Sequence, residues 1–123
     1  MTNDAITTVQ QLRQLMADFV AERDWQQFHA PKNLAMSLAI EAAELMEHFQ
    51  WITVAHSRQI ALDAKKRSQI ADEMADVCCY LLALANELEL DLSAAVQHKM
   101  QKNREKYPAA EFRGRYGPED AGE

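Results

Sequence analysis

Residues 70–88 read IADEMADVCCYLLALANEL, and their periodicity decides the fold class. Ile70, Met74, Val77, Leu81, Leu84 and Leu88 recur at steps of three and four, the period of one face of an α-helix rather than the alternation of a strand. The pattern predicts a helix over about Lys66–Leu88, with two acids, Glu73 and Asp76, beside its apolar seam.

The same period extends outward from this helix. Ile6, Val9, Leu12, Leu15, Met16, Phe19 and Val20 predict a first helix over about Ile6–Arg23, capped by Thr7, Thr8 or Asp4. The stretch DWQQFHA, residues 24–30, breaks the pattern and reads as a short aromatic loop. It leads to Pro31, whose fixed φ and missing N–H suit the first turn of a helix. A second helix is predicted from Pro31 to about Gln50, with Leu34, Leu38, Leu45 and Phe49 in the core. Residues 51–66 have weak periodicity and room for a short helix, with Ser57 as a cap for the run through Ile60 and Leu62. Asp91 suits the N-cap of a fourth helix, LSAAVQHKMQKNREK, which Pro108 ends. Residues 109–123 are rich in turn formers and charge, so a flexible tail is expected after a domain of residues 1–108.

A chain of 123 residues is long enough for one modest core and short of the size at which chains divide into domains. Only three Gly and three Pro leave too few turn formers for an all-β protein. The expected fold is therefore all-α, an antiparallel bundle of four main helices. Four helices in one layer leave an apolar face uncovered, which favours completion by oligomerisation. A net charge of −6 disfavours nucleic acid polymers and anionic membrane surfaces. The N-terminal residues lack a basic-then-apolar signal pattern, and no apolar run approaches the roughly 20 residues that cross a bilayer, so a cytoplasmic setting is expected. Cys78 and Cys79 are helix neighbours whose side chains diverge by about 100°, unsuited to a structural disulfide, and read as a buried pair of small apolar thiols.

The acids carry the chemistry. Glu41 and Glu44, in IEAAELMEH at 40–48, and Glu73 and Asp76 each lie three residues apart, so each pair shares a helix face. Two such pairs either remain solvated on helix surfaces or converge. If they converge, four carboxylates in a partly buried groove repel one another and lose hydration, a conflict that a divalent cation resolves. All-oxygen ligation suits Mg²⁺ or Mn²⁺ rather than zinc. Glu47 lacks a partner pair and reads as solvated. His48, four residues after Glu44, lacks the Glu-x-x-His spacing of a di-iron bundle and is not read as a ligand.

The E-x-x-E of Glu41 and Glu44 followed by the E-x-x-D of Glu73 and Asp76 resembles the MazG-like all-α nucleoside triphosphate pyrophosphohydrolases. Within that superfamily, ERDWQQFHAPKNL at 22–34, EHFQW at 47–51 and KMQKNREKYP at 99–108 look like the dCTP pyrophosphatase branch. The similarity spans roughly residues 10–108. It implies a Mg²⁺-dependent enzyme that cleaves the α–β phosphoanhydride of a nucleoside triphosphate, dCTP or a modified dCTP first among candidates, in nucleotide-pool house-cleaning. It also implies a homodimer or homotetramer, with Glu41, Glu44, Glu73 and Asp76 as metal-ligand and catalytic positions.

Through the same resemblance Trp25, His29, Asn33, Trp51, Tyr80, Lys99, Asn103 and Tyr107 match substrate-binding positions. Lys99 has a second reading beside Lys102, Arg104 and Lys106, as a cation favoured by the negative end of a helix dipole. One departure stands out: vertebrate dCTP enzymes carry a histidine in the first helix where this chain has Met16, which bears on base selectivity rather than catalysis. A reading from another class is a non-enzymatic helical interaction module, with the acids as surface charge and the tryptophans as partner anchors.

Overall fold

The computed structural model describes residues 2–115, which are helical with no strand. Six α-helices follow in order: α1 Val9–Glu22, α2 Pro31–Glu47, α3 Val54–Ser57, α4 Ala64–Glu87, α5 Leu92–Lys106 and α6 Ala109–Phe112. Short 3-10 turns occupy Gln26–Phe28 and Ile60–Leu62. The chain divides into two compact units, one ending at Leu90 and one beginning at Asp91.

Within the first unit α4 is the central element. It packs along α2, and α1 also lies against it. Glu44 and His48 act electrostatically on Glu73, whereas Asp76 acts on Glu41 more strongly than Glu73 does, the order expected of an antiparallel α2/α4 pair. The fully covered apolar residues are Val20 on α1, Leu34 on α2, and Leu82, Ala83 and Ala85 on α4.

Local chemistry explains the helix boundaries. Thr8 opens α1 through a capping box: its Oγ1 accepts from the Gln11 N–H at 3.1 Å, and Gln11 Oε1 accepts from the Thr8 N–H at 2.8 Å. Pro31 takes the first position of α2 as expected. Asp63 caps α4, accepting from the Lys65 and Lys66 N–H groups, and so starts the helix before the predicted Lys66. Asp91 caps α5 by accepting from the Ala94 N–H at 2.8 Å. Ser57 does not cap the Ile60–Leu62 turn. It is the last residue of α3 and donates its hydroxyl to Val54 O at 2.6 Å, while Thr53 provides the cap, accepting from the His56 N–H.

Both α1 and α4 end in reversals where the sixth residue bonds back to the first. The Trp25 N–H donates to Val20 O and the Leu90 N–H to Ala85 O, each at 3.0 Å. The turning residues Asp24 and Glu89 both have φ of 52°, in the left-handed region where glycine is the usual occupant. Neither position was legible as a helix stop from its residue type.

The expected cores need correction. Met74, Leu81 and Leu88 of the predicted α4 stripe are exposed, as are Ile6, Val9, Leu15 and Phe19 of the first-helix stripe, and of the cysteine pair expected to be buried Cys78 is exposed and Cys79 half-buried. The physical reason lies in how α4 is covered: α1 packs on it as well as α2, and Met16, Ala17 and Val20 of α1 line a cleft with Ala83, so burial falls on Ala83 and Ala85, off the predicted stripe. On α2, Leu34 is buried, and Leu38, Leu45 and Phe49 are half-buried.

The second unit, described by itself, consists of α5 and α6. Pro108 ends the run after α5 and stands at the N-cap of α6, so residues 109–112 form a helical turn within the expected tail. The Tyr107 and Phe112 rings meet edge-to-face at 5.2 Å, with Lys106 Nζ 5.3 Å from the Tyr107 ring centre. Residues 116–123 of the expected tail lie outside the described residues.

Candidate functional site

The middle of the α2/α4 pair brings the acids together. One carboxylate oxygen each from Glu41, Glu73 and Asp76 lies within 4.8 Å of the others. Glu44, one turn beyond Glu41, stands beside both Glu41 and Glu73. Glu41, Glu44 and Glu73 are half-buried and Asp76 is exposed, so the group opens to solvent on the Asp76 side.

Burial, and after it neighbouring like charge, raises the proton affinity of Glu41 and Glu73. Glu41 is pushed up to about 7 from an ordinary 4.5, chiefly by burial, then by hydrogen bonding and like charge from Glu44 and by the charges of Asp76 and Glu73. Glu73 is raised for the same main cause, with Glu44 and Asp76 adding to it and His48 opposing it. His48 therefore belongs to the electrostatic surroundings of the cluster, a role its sequence spacing did not suggest. Oε2 of Glu41 and Oε2 of Glu73 are shielded from solvent and have no hydrogen-bond partner among the described residues. Buried acceptors without donors are costly, and a cation is the natural ligand for several of them at once. The donor set is all oxygen and fits a hard divalent ion such as Mg²⁺.

From the acids, one face of α4 runs toward α1. Asp76, Tyr80, Ala83 and Glu87 succeed one another at steps of four, three and four and so share a stripe. At 1.5 Å rise per residue, Ala83 lies about 10 Å along the axis from Asp76. There a cleft of about 120 Å³ opens, lined by Met16, Ala17, Val20, Gln26, His29, Ala83, Asn86 and Glu87. His29 is 9% exposed, the buried polar residue of this region.

The cleft wall is fixed by Arg13. Its guanidinium donates to Asn86 Oδ1 at 2.9 Å, Leu90 O at 2.7 Å and Ala85 O at 3.2 Å, and Asn86 Nδ2 donates back to Arg13 O at 3.1 Å. A cation at the carbonyl end of α4 also complements the helix dipole. Arg13 lies on the α1 face that carries Met16 and Val20, and that placement was the available sequence signal. Gln26, Asn86 and Glu87 offered none, because only the fold brings them to Met16 and His29.

The other sequence-predicted positions are spread more widely. Tyr80 is half-buried on the stripe between the acids and the cleft. Trp25 packs edge-on to Phe19 at 5.7 Å, with the Arg23 guanidinium carbon 3.7 Å from the Phe19 ring centre. Asn33 donates to Phe28 O at 3.3 Å, which ties the aromatic turn to the start of α2. Trp51, in the turn after α2, is 87% exposed. Lys99 and Asn103 on α5, and Tyr107 at its C-cap, belong to the second unit. Lys99 is exposed, and Asn103 is half-buried with its amide 3.9 Å from Met100 Sδ.

Residues 36–116 match the sequence profile of the MazG-like family, and that span contains all four acids. The chain belongs to the MazG-like family. Its relatives include dCTP pyrophosphatase 1 of Rattus norvegicus, 45% identical over 107 residues, which cover 87% of this chain and 63% of that protein. The dCTP pyrophosphatase 1 of Homo sapiens is 44% identical over 102 residues, 83% of this chain and 60% of that protein. The chain thus spans about three fifths of the length of these curated relatives. Among solved structures, a pyrophosphatase from Archaeoglobus fulgidus superposes with a TM-score of 0.77 at 35% identity, covering 88% of this chain and 99% of the other. The MazG-like fold expected from the two acidic pairs is therefore established. No helix among the described residues is long and apolar enough to cross a membrane.

Proposed function

We propose that this MazG-like chain is a Mg²⁺-dependent nucleoside triphosphate pyrophosphohydrolase that releases pyrophosphate and a nucleoside monophosphate, with dCTP or a modified dCTP as its first candidate substrate. The carrying observation is the convergence of Glu41, Glu73 and Asp76 oxygens within 4.8 Å, with shielded, unpartnered oxygens on Glu41 and Glu73. The names of the rat and human relatives support the substrate, and the archaeal structure supports the pyrophosphatase reading.

Glu41, Glu44, Glu73 and Asp76 would hold the ion. When bound, Mg²⁺ (or Mn²⁺) neutralises phosphate charge and increases the electrophilicity of the attacked phosphorus. A carboxylate of this cluster not fully engaged by the ion would orient the attacking water and accept its proton. Along α4, Tyr80 flanks the sugar, and the cleft beyond it receives the base. The span of about 10 Å from Asp76 to Ala83 is comparable with the length of a nucleoside. Trp25, His29, Asn33 and Trp51 complete the proposed substrate contacts of the first unit; Lys99, Asn103 and Tyr107 of the second unit are proposed as substrate-binding through the family resemblance alone.

A homo-oligomer, dimer or tetramer, is part of this reading. Met36 and Ile40 on α2 and Met74 and Leu81 on α4 are exposed at helical spacing, and Trp51 and Leu62 are more than four fifths exposed. Where such residues form one apolar patch, another subunit would cover it. The test is a panel of nucleoside triphosphates incubated with Mg²⁺ and assayed for pyrophosphate. Release from at least one is expected. No turnover of any nucleotide by folded protein overturns the reading in favour of an interaction module.

A further inference from the structure

The α1/α4 cleft has a chemistry of its own beyond the acidic cluster. Met16, Ala17, Val20 and Ala83 give it apolar walls, and four polar residues join them. Asn86 is not free to read a ligand, because its amide is committed in both directions to Arg13. Gln26, His29 and Glu87 remain. Among the described residues none of these three side chains has a hydrogen-bond or ion-pair partner, and His29 is nine-tenths buried. A polar ring buried in a cleft without a partner is costly unless a ligand satisfies it.

His29 and Glu87 differ in what they accept. A neutral imidazole offers one donor and one acceptor, and so can hold the edge of any pyrimidine. An ionised carboxylate is acceptor only. It accepts from an exocyclic amino group and repels a keto oxygen at the same place. Glu87 stands one turn beyond Ala83 on the stripe that begins at Asp76, at the far end from the phosphates, where the outer edge of a base would lie.

Resting on the pyrophosphohydrolase reading above, we propose that Glu87 determines base specificity, selecting a pyrimidine with an exocyclic amino group over its keto counterpart, while His29 anchors the ring without discriminating. Leaving a polar edge unpaired is the strongest means a site has of rejecting a near-isostere.

The experiment compares dCMP with dUMP by titration calorimetry, and dCTP with dUTP by kcat/KM, in wild type, Glu87→Gln, Glu87→Ala and His29→Ala. Glu87 is an exposed terminal helix residue, so its variants are expected to fold, which circular dichroism checks. The amino-over-keto ratio should fall about tenfold or more in both Glu87 variants, the scale of a lost hydrogen bond to a charged group. His29→Ala should weaken both ligands alike. A wild type that does not favour the amino base, or a ratio unchanged in both Glu87 variants while triphosphates are still hydrolysed, overturns this inference alone. A wild type that binds neither monophosphate and hydrolyses no triphosphate overturns the function on which it rests.

Discussion

At the scale of single residues, Glu41 couples folding to the proposed chemistry. Its carboxyl is pushed up to about 7 in the metal-free protein, so between its ordinary 4.5 and about 7 the folded chain holds a proton that the unfolded chain has released. Stability contributed by that proton is present at low pH and is lost as pH rises through the window. The raised Glu73 acts in the same direction. Metal-free protein should therefore melt at a lower temperature at pH 8 than at pH 5.5, and Mg²⁺ should recover the difference at pH 8. Glu41→Gln should abolish pyrophosphate release while melting at the same or a higher temperature than wild type in EDTA at pH 8, because it removes a repelling charge. Thermal melts at the two pH values read both effects, and a strongly destabilised Glu41→Gln would assign the residue a structural role instead. The acids were legible because their signal is local: spacing of three within a helix fixes a shared face. Glu87 and Gln26 were not, since their meaning depends on α1 and α4 meeting residues distant in sequence.

At the scale of elements, the capping chemistry was legible and the reversals were not. Asp91 and Pro31 announce helix starts by residue type, whereas Asp24 and Glu89 turn the chain at positive φ without being glycine. The Arg13–Asn86 exchange was equally hidden, because hydrogen bonding between α1 and the end of α4 leaves no periodic mark. It should matter energetically. Asn86→Ala removes an acceptor from a charged guanidinium and a donor from Arg13 O, and should cost about 2–3 kcal/mol in urea unfolding. A loss below about 0.5 kcal/mol would show that Arg13's two backbone carbonyl bonds hold α1 on α4 without it.

At the scale of the whole molecule, periodicity identified which residues are apolar but could not say which surface covers them. Met74 and Leu81 fit a core stripe by spacing and are exposed in the chain by itself. The same fact predicts assembly. Ile40→Asp on the exposed α2 stripe should shift the mass measured by light scattering toward the monomer, with far-UV helicity retained. A wild type that is monomeric at assay concentrations would contradict the oligomer. Phosphorus NMR of dCTP incubated with the protein and Mg²⁺ is the most direct test that Glu41, Glu44, Glu73 and Asp76 serve pyrophosphate release from a nucleotide. Wild type should give dCMP and pyrophosphate in equal amounts, and Glu41→Gln neither. Orthophosphate with dCDP, or equal turnover by the Glu41→Gln protein, would contradict that role.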